Sequence, residues 1–340
     1  MSENAAPTPA GRSLEGQKVV VIGGAGLIGS HVVERLLDEP VAEIVVYDNL
    51  TRGRMENLEE ALKDERVHLN AVGGDIRDTD ILADALQGSK TVFHLAALWL
   101  LHCHEYPRSA FEVNIGGTFN VLEACRHAGV EKLVYSSSAS VYGNALAIPM
   151  TEEHPFNNEN FYGSTKIAGE AMLEAYHHRY GLQYAALRYM NVYGARQDYL
   201  GTYIAVIMSM LDKIDRGESP VIQGDGSATF DFIYVSDVAD ANVRAATSTQ
   251  QRGAYNVGMG KGTSVRELAE LLLELTGSEL EIAYVPARQA FVSHRIGSTE
   301  KAECELGFKA AIELRDGLQR VIEWRNAHRL QVAERAAQVA

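Results

Sequence analysis

From Lys18 onward, short apolar runs rich in Val and Ile alternate with segments whose apolar positions recur every three or four residues. KVVVIG (18–23), EIVVYDN (43–49), VHLNAVGGD (67–75), TVFHLAA (91–97) and KLVYSSS (132–138) read as strands. Between them HVVERLLDE (31–39) and MENLEEALKD (55–64) have helical spacing. Strands alternating with helices predict βαβ units, and so a mostly parallel sheet covered on both faces. Beyond Gly194 the alternation loosens into longer helices and scattered short strands. There GTSVRELAELLLELTG (262–277) opens on a Ser or Thr cap, and LRDGLQRVIEWRNA (314–327) repeats its broad apolar stripe. The pattern predicts an α/β fold: a flexible tail over 1–16, a doubly wound domain over 17–193, and a smaller α/β lobe over 194–340 with some segments returning to the sheet.

Composition narrows the partners. A formal net charge of −14 over 340 residues repels phosphate backbones, which argues against nucleic acid and for small molecules. Three widely spaced cysteines, Cys103, Cys125 and Cys304, suit a reducing compartment better than a disulfide framework. With no run of roughly 18 apolar residues, the expectation is a cytoplasmic protein without a membrane partner.

The stretch VVVIGGAGLIGSH (19–31) carries the first chemistry. A strand ends at its glycines and a helix opens at Leu27 and Ile28. Gly23, Gly26 and Gly29 fit a tight turn, a close backbone approach to a pyrophosphate, and close helix packing. The N–H groups at the helix start then face the phosphate. Asp48, followed by Asn49, lies 19 residues beyond Gly29, where a carboxylate can accept both ribose hydroxyls of NAD and repel the 2′-phosphate of NADP. Arg52 nearby keeps NADP open. A Rossmann-type NAD domain is the expectation.

Tyr162 and Lys166 in FYGSTKIAGEAML are four residues apart on a helical segment and share a face. A phenol is a poor base at neutral pH, but an ammonium and a cationic nicotinamide beside it favour phenolate. Ser138, at the end of a strand in VYSSSASVYG, is placed to hydrogen-bond the reacting oxygen; Ser136 and Ser137 read as structural.

With these residues in order, the chain resembles the extended short-chain dehydrogenase/reductases of the nucleotide-sugar epimerase/dehydratase family. The resemblance runs from about Lys18 to Trp324 through GGAGLIG, YDN, GGDIRD, HLAA, NIGGTFNVLEA, SSSASVYG, YGSTK, RYMNVYGAR and DFIYVSDVA. It implies a catalytic trio of Ser138, Tyr162 and Lys166, with Lys166 also gripping the nicotinamide ribose. It implies that Asp75 and Ile76 flank the adenine, that His94 to Ala97, including Leu95 and Ala96, line the cofactor path, and that Asn114 supports the active-site backbone. Tyr189 would lie near the nicotinamide, and Asn191 would hold the diphosphate of a nucleotide sugar.

Dehydratases of this family carry an Asp-Glu pair just after the catalytic Thr or Ser; here Ala139 and Ser140 stand there, and neither supplies a carboxylate acid or base. The resemblance therefore favours an NAD-dependent epimerase acting at C4 of a nucleotide-diphosphate sugar through a transient 4-keto sugar. A dehydratase or reductase using an acid or base such as Cys103, and a non-catalytic NAD sensor, are the alternatives. Phe230 replaces an arginine that in the family clamps the diphosphate. Arg288 matches a second such arginine, Arg295 falls near a position that selects the sugar substituent, where it would exclude an N-acetyl group or bind an acidic one, and Trp99 is placed to line the sugar pocket. His102 and His104 bracket Cys103 and, on an extended segment, would face one side, yet without further ligand pairs no metal is expected. Glu170 reads as solvated. The helices of NIGGTFNVLEACRH and KIAGEAMLEAYHH carry large apolar faces; the resemblance implies a homodimer through them, and extra core packing is the other reading of the same pattern.

Overall fold

The computed structural model describes residues 11–70, 72–197, 206–286 and 294–328. Arg288 and the first ten residues of the expected tail lie outside them. The strands are β1 (Lys18–Ile22), β2 (Glu43–Tyr47), β3 (Val67–Leu69), β4 (Ser89–His94), β5 (Lys132–Ser138), β6 (Gln183–Tyr189), β7 (Asn191–Tyr193), β8 (Val221–Gln223), β9 (Thr229–Phe230), β10 (Phe232–Tyr234), β11 (Ala254–Val257), β12 (Thr263–Ser264), β13 (Ala283–Val285) and β14 (His294–Arg295). The helices are α1 (Leu27–Leu36), α2 (Thr79–Leu86), α3 (Leu100–Glu105), α4 (Pro107–Ala110), α5 (Thr118–Ala128), α6 (Phe161–Tyr180), α7 (Val206–Asp215), α8 (Val235–Thr247), α9 (Val265–Thr276), α10 (Glu300–Leu306) and α11 (Leu314–Ala327).

Seven strands form one parallel sheet in the order β11-β6-β5-β4-β1-β2-β3. Its central strands are rich in Val, Ile and Leu because both faces are buried. Along β1, Val19 and Val21 enter the core on one face while Val20 and Ile22 enter the core on the other. β2 repeats this, with Ile44 and Val46 opposite Val45 and Tyr47. α1 and α8 pack together on the first face, and α2, α5 and α6 cover the second. The predicted doubly wound α/β architecture is therefore the observed one.

The remaining strands build small sheets: β10 with β7, β12-β9-β14, and β13 with β8. With α7, α9 and α11 they enclose a third core of Ile207, Met208, Leu211, Ile222, Leu268, Leu272, Leu318 and Val321. α9 starts on the expected cap: Ser264 Oγ accepts the Glu267 N–H at 3.1 Å and Glu267 accepts the Ser264 N–H at 2.7 Å. β11 and α8 are the late segments that join the first domain's sheet and its covering layer.

Three expectations are corrected. Residues 11–16 are not a flexible tail: Leu14 is buried, the Arg12 N–H donates to the Thr247 carbonyl at 2.6 Å, and its guanidinium pairs with Glu131 at 3.0 Å. MENLEEALKD forms two short 3₁₀ turns, Met55–Leu58 and Ala61–Lys63, rather than an α-helix. Its start is tied to the glycine turn, the Arg54 N–H and the Asn57 amide both donating to the Ala25 carbonyl, and this tertiary anchoring overrides helical spacing. Third, VHLNAVGGD is a strand only over Val67–Leu69; Gly73, at φ +74°, turns the chain away.

Candidate active site

Parallel strands all end at one edge of a sheet, and a cavity of about 680 Å³ opens there. Its lining runs from Gly23, Gly26 and Gly29 past Asp48 and Asp75 to Ser138, Tyr162 and Lys166.

At one end, Gly23 adopts φ +82°, and a Cβ there would sit 2.6 Å from the Ala96 nitrogen. A Cβ on Gly29 would sit 2.1 Å from the Gly23 carbonyl oxygen, so α1 can start this close to β1 only with glycine at that position. Gly26 caps α1 without a side-chain hydrogen bond, and the first turn carries no acid. The end of the helix dipole and the first N–H groups, at Leu27 and Ile28, are thus open to an anion. Asp48, just past β2, accepts the Ala25 and Leu50 N–H groups at 2.9 and 2.8 Å; burial nonetheless raises its carboxyl above the usual range. Asn49, Asp75 and Ile76 line the same end, with Asp75 held by Arg77 at 2.6 Å. After β4, Leu95 and Ala96 donate their N–H groups to the Ile22 carbonyl at 2.8 and 3.1 Å, which brings Leu95, Ala96 and Ala97 along the cavity wall. These residues fit a dinucleotide: an open helix start, a turn that only glycine permits, and an acid at the end of β2.

At the other end, β5 delivers Ser138 and α6 delivers Tyr162 and Lys166. Lys166 Nζ donates to the Ser136 carbonyl at 2.6 Å and lies 5.6 Å from the Tyr162 ring centre. Burial pushes the Tyr162 phenol up to about 12, helped by the neighbouring Cys103 and opposed by a hydrogen bond with Ser138 and by Arg52 and Arg295. Burial also lowers Lys166 to about 8, against the pull of Cys103 and Glu170. In the protein alone burial outweighs the hydrogen bond with Ser138 and the two arginine charges, so the phenol stays protonated. Tyr189 is buried beside the trio, its hydroxyl donating to Asn242 at 3.0 Å.

Asn114 lies outside the cavity lining and ties together the chain around it. Its side chain accepts the Leu98 N–H at 2.7 Å and donates to the Leu98 carbonyl at 3.0 Å and to Thr165 Oγ1 at 3.2 Å. It sits in a one-turn π segment, Phe111–Gly117, a widening that is frequent at functional sites. Trp99 lines the cavity with the Arg52 guanidinium stacked 4.0 Å from its ring centre.

Other expected site residues are placed differently. Asn191 is not among the lining residues, and its amide donates to the Asp231 carbonyl at 3.2 Å. Arg295 is not among the lining residues, and its charge acts on Tyr162 from outside them. His102 and His104 lie on α3 rather than on an extended segment, so their two-residue spacing does not align them; among the described residues no group of three His, Cys, Asp or Glu could hold a metal. Cys103 donates to the Leu98 carbonyl at 3.4 Å, and burial pushes its thiol up to about 11, which makes it a poor acid or base near neutral pH.

Glu170 is not solvated. Its carboxylate accepts two hydrogen bonds from Arg188 at 3.0 and 2.6 Å and one from Ser137 Oγ, with both charged side chains under 10 % exposed. The network continues from Arg188 to the Tyr142 hydroxyl at 2.9 Å and from Tyr142 to Asn256 at 2.6 Å, directly beneath the serine turn. Sequence reasoning also missed Arg196, Gln197 and Trp324 on the cavity wall. For Glu170 a signal existed, since i+4 from Lys166 puts it on the buried face of the same helix.

Comparisons with known proteins give the family. The family described as the NAD dependent epimerase/dehydratase family matches residues 19–258. A UDP-glucose 4-epimerase from Mycolicibacterium smegmatis is 34% identical over 310 residues, covering 90% of this chain and 98% of that protein. Among solved structures, a UDP-N-acetylglucosamine 4-epimerase from Methanobrevibacter ruminantium in complex with UDP-N-acetylmuramic acid is similar with a TM-score of 0.87 at 34% identity, over 92% of this chain and 99% of that one. A Thermus thermophilus UDP-glucose 4-epimerase in complex with NAD is similar with a TM-score of 0.81 at 34% identity, over 91% of this chain and 99% of that one.

Proposed function

We propose that this chain, which belongs to the NAD-dependent epimerase/dehydratase family, inverts C4 of a UDP-sugar through a transient 4-keto sugar. The observation that carries the reading is the convergence of Ser138, Tyr162 and Lys166 at one end of a cavity whose other end is the glycine turn. The only carboxylates among its described lining residues, Asp48 and Asp75, belong to the glycine-turn end. A dehydratase needs a second acid or base at the sugar. Ala139 and Ser140 are buried there, and the Cys103 thiol stays protonated.

In this reading residues 17–193 hold NAD, Asp48 binds the adenosine ribose, and the lobe after Gly194 covers the sugar. Bound NAD supplies the hydride acceptor and, in the second half-reaction, the donor. Tyr162 takes the C4 hydroxyl proton as the C4 hydrogen leaves as hydride. Ser138 hydrogen-bonds the reacting oxygen, and Lys166 keeps positive charge beside the phenol. Once the ketone has turned its other face, Tyr162 would give the proton back to the C4 oxygen.

The test is proton NMR of the anomeric region with NAD-loaded protein and UDP-glucose or UDP-N-acetylglucosamine. A second anomeric doublet that grows to equilibrium without net NADH is the expected result. A deoxy methyl or vinyl signal would favour a dehydratase.

For Asp48→Asn, NAD affinity should fall about tenfold, the scale of losing a hydrogen bond to a charged acceptor. NADP affinity should hold or rise as the repulsion of its 2′-phosphate disappears. Fluorescence titration with both cofactors checks this, and equal losses would contradict the role given to Asp48.

The assembly we propose is a homodimer through α5 and α6, where Phe119 and Tyr180 are 47% and 51% exposed and Phe111, in the π segment before α5, is 48% exposed. Sedimentation should give a dimer, and Phe119→Glu should shift it to monomer. An unchanged mass for the variant would place the interface elsewhere.

A further inference from the structure

Arg295 ends β14, which pairs in parallel with β9 so that Arg295 lies opposite Phe230. The backbone there is fixed: the Arg295 carbonyl accepts the Asp231 N–H at 3.0 Å, and the next carbonyl, of Ile296, accepts the Met150 N–H at 2.8 Å. Its side chain is partly buried, and the Nε is sealed from solvent with no hydrogen-bond partner. Among the described residues it makes no ion pair. Burial lowers its guanidinium to about 10, and the one ionisable side chain that counters this is Tyr162. A buried cation without a counter-ion is costly unless something bound supplies the charge.

Nearby acids do not supply it. Asp231 spends its carboxylate on the Met259 and Gly260 N–H groups at 2.8 and 2.9 Å. Glu170 is paired with Arg188, and Asp48 and Asp75 belong to the opposite end of the cavity. The one side chain at the reacting end of the cavity on which the Arg295 charge acts is Tyr162.

We propose that Arg295 binds a carboxylate carried by the sugar ring, so that the preferred substrate is a nucleotide-diphosphate uronate rather than a neutral hexose. The proposal rests on the reading that a nucleotide sugar reacts at Tyr162. A uronate carries its carboxylate on C5, next to the reacting C4, and so near the phenol on which the Arg295 charge acts. Binding there pairs the guanidinium and leaves the neutral hexoses without a partner for it.

Calorimetric titration of NAD-loaded protein with UDP, UDP-glucose, UDP-glucuronate and its neutral amide, UDP-glucuronamide, tests this. UDP-glucuronate should bind the unaltered protein at least about tenfold tighter than the amide or UDP-glucose, the scale of a charge-assisted hydrogen bond. Arg295→Gln should remove that preference, a loss of about 10- to 100-fold for UDP-glucuronate, with UDP and UDP-glucose within about threefold of the unaltered protein. No preference of the unaltered protein for the uronate over its amide overturns the proposal without reference to any variant. Equal losses for UDP and UDP-glucose in Arg295→Gln also overturn it, since they would assign the arginine to the diphosphate. Turnover is read separately by NMR: uronate-selective binding without a C4 epimer of any sugar would refute the epimerase reading and leave the carboxylate site standing.

Discussion

Tyr162→Phe should lower kcat about 10³-fold while NAD and substrate affinities stay within about threefold, because the substitution removes the proton acceptor and keeps the ring. The pH dependence follows from the same site. Tyr162 lies near 12 in the protein alone, so its anionic form grows as pH rises or as positive charge is placed beside it. Lys166, near 8, is an ammonium below that pH and loses its charge above it. The rate should therefore climb with pH towards 8 and level off or fall beyond it, where the charge that favours phenolate disappears. Lys166→Met should remove the alkaline break and move the rising limb to higher pH. Steady-state kinetics from pH 6 to 10 with both variants checks this. A Tyr162→Phe enzyme that keeps most of its rate would mean that another group takes the proton.

Glu170→Gln should destabilise the fold by about 3–5 kcal/mol, the scale on which breaking a buried ion pair leaves the remaining charge uncompensated. Arg188 would then keep the Tyr142 hydroxyl, the Glu152 carbonyl and one amide oxygen as acceptors but lose its counter-charge. Replacing both Glu170 and Arg188 by Met should recover part of the loss, since an apolar pair of similar volume needs no counter-charge. Equilibrium unfolding in urea measures both variants. Because Glu170 also favours the charged form of Lys166, the single variant should lower the Lys166 pKa and bring the alkaline break of the rate profile to lower pH. A stability change under 1 kcal/mol would show that the pair is already compensated by water.

What was legible in the sequence followed from local rules. The glycine turn, Asp48 at the end of β2, and Tyr162 with Lys166 on one helix face depend on spacings of at most a few turns or one βαβ unit, and the fold brings them to one cavity. The Glu170 network was not legible because its partner, Arg188, sits on β6 in an otherwise apolar run. Nothing within helical reach of Glu170 announces that charge. MENLEEALKD misled for the opposite reason: its spacing is helical, but contacts to Ala25 hold the segment as two short turns over the glycine loop. The pKa order at the trio also needed the fold, because burial rather than the neighbouring ammonium dominates both groups.

Reversible oxidation at C4 with return of the same hydride can be followed by incubating NAD-loaded protein in ordinary water with a UDP-sugar deuterated at C4, and recording the C4 and anomeric signals by NMR. Full retention of deuterium at C4 in both epimers at equilibrium is the predicted result. Wash-out of deuterium to solvent, or a product changed at a carbon other than C4, would contradict it.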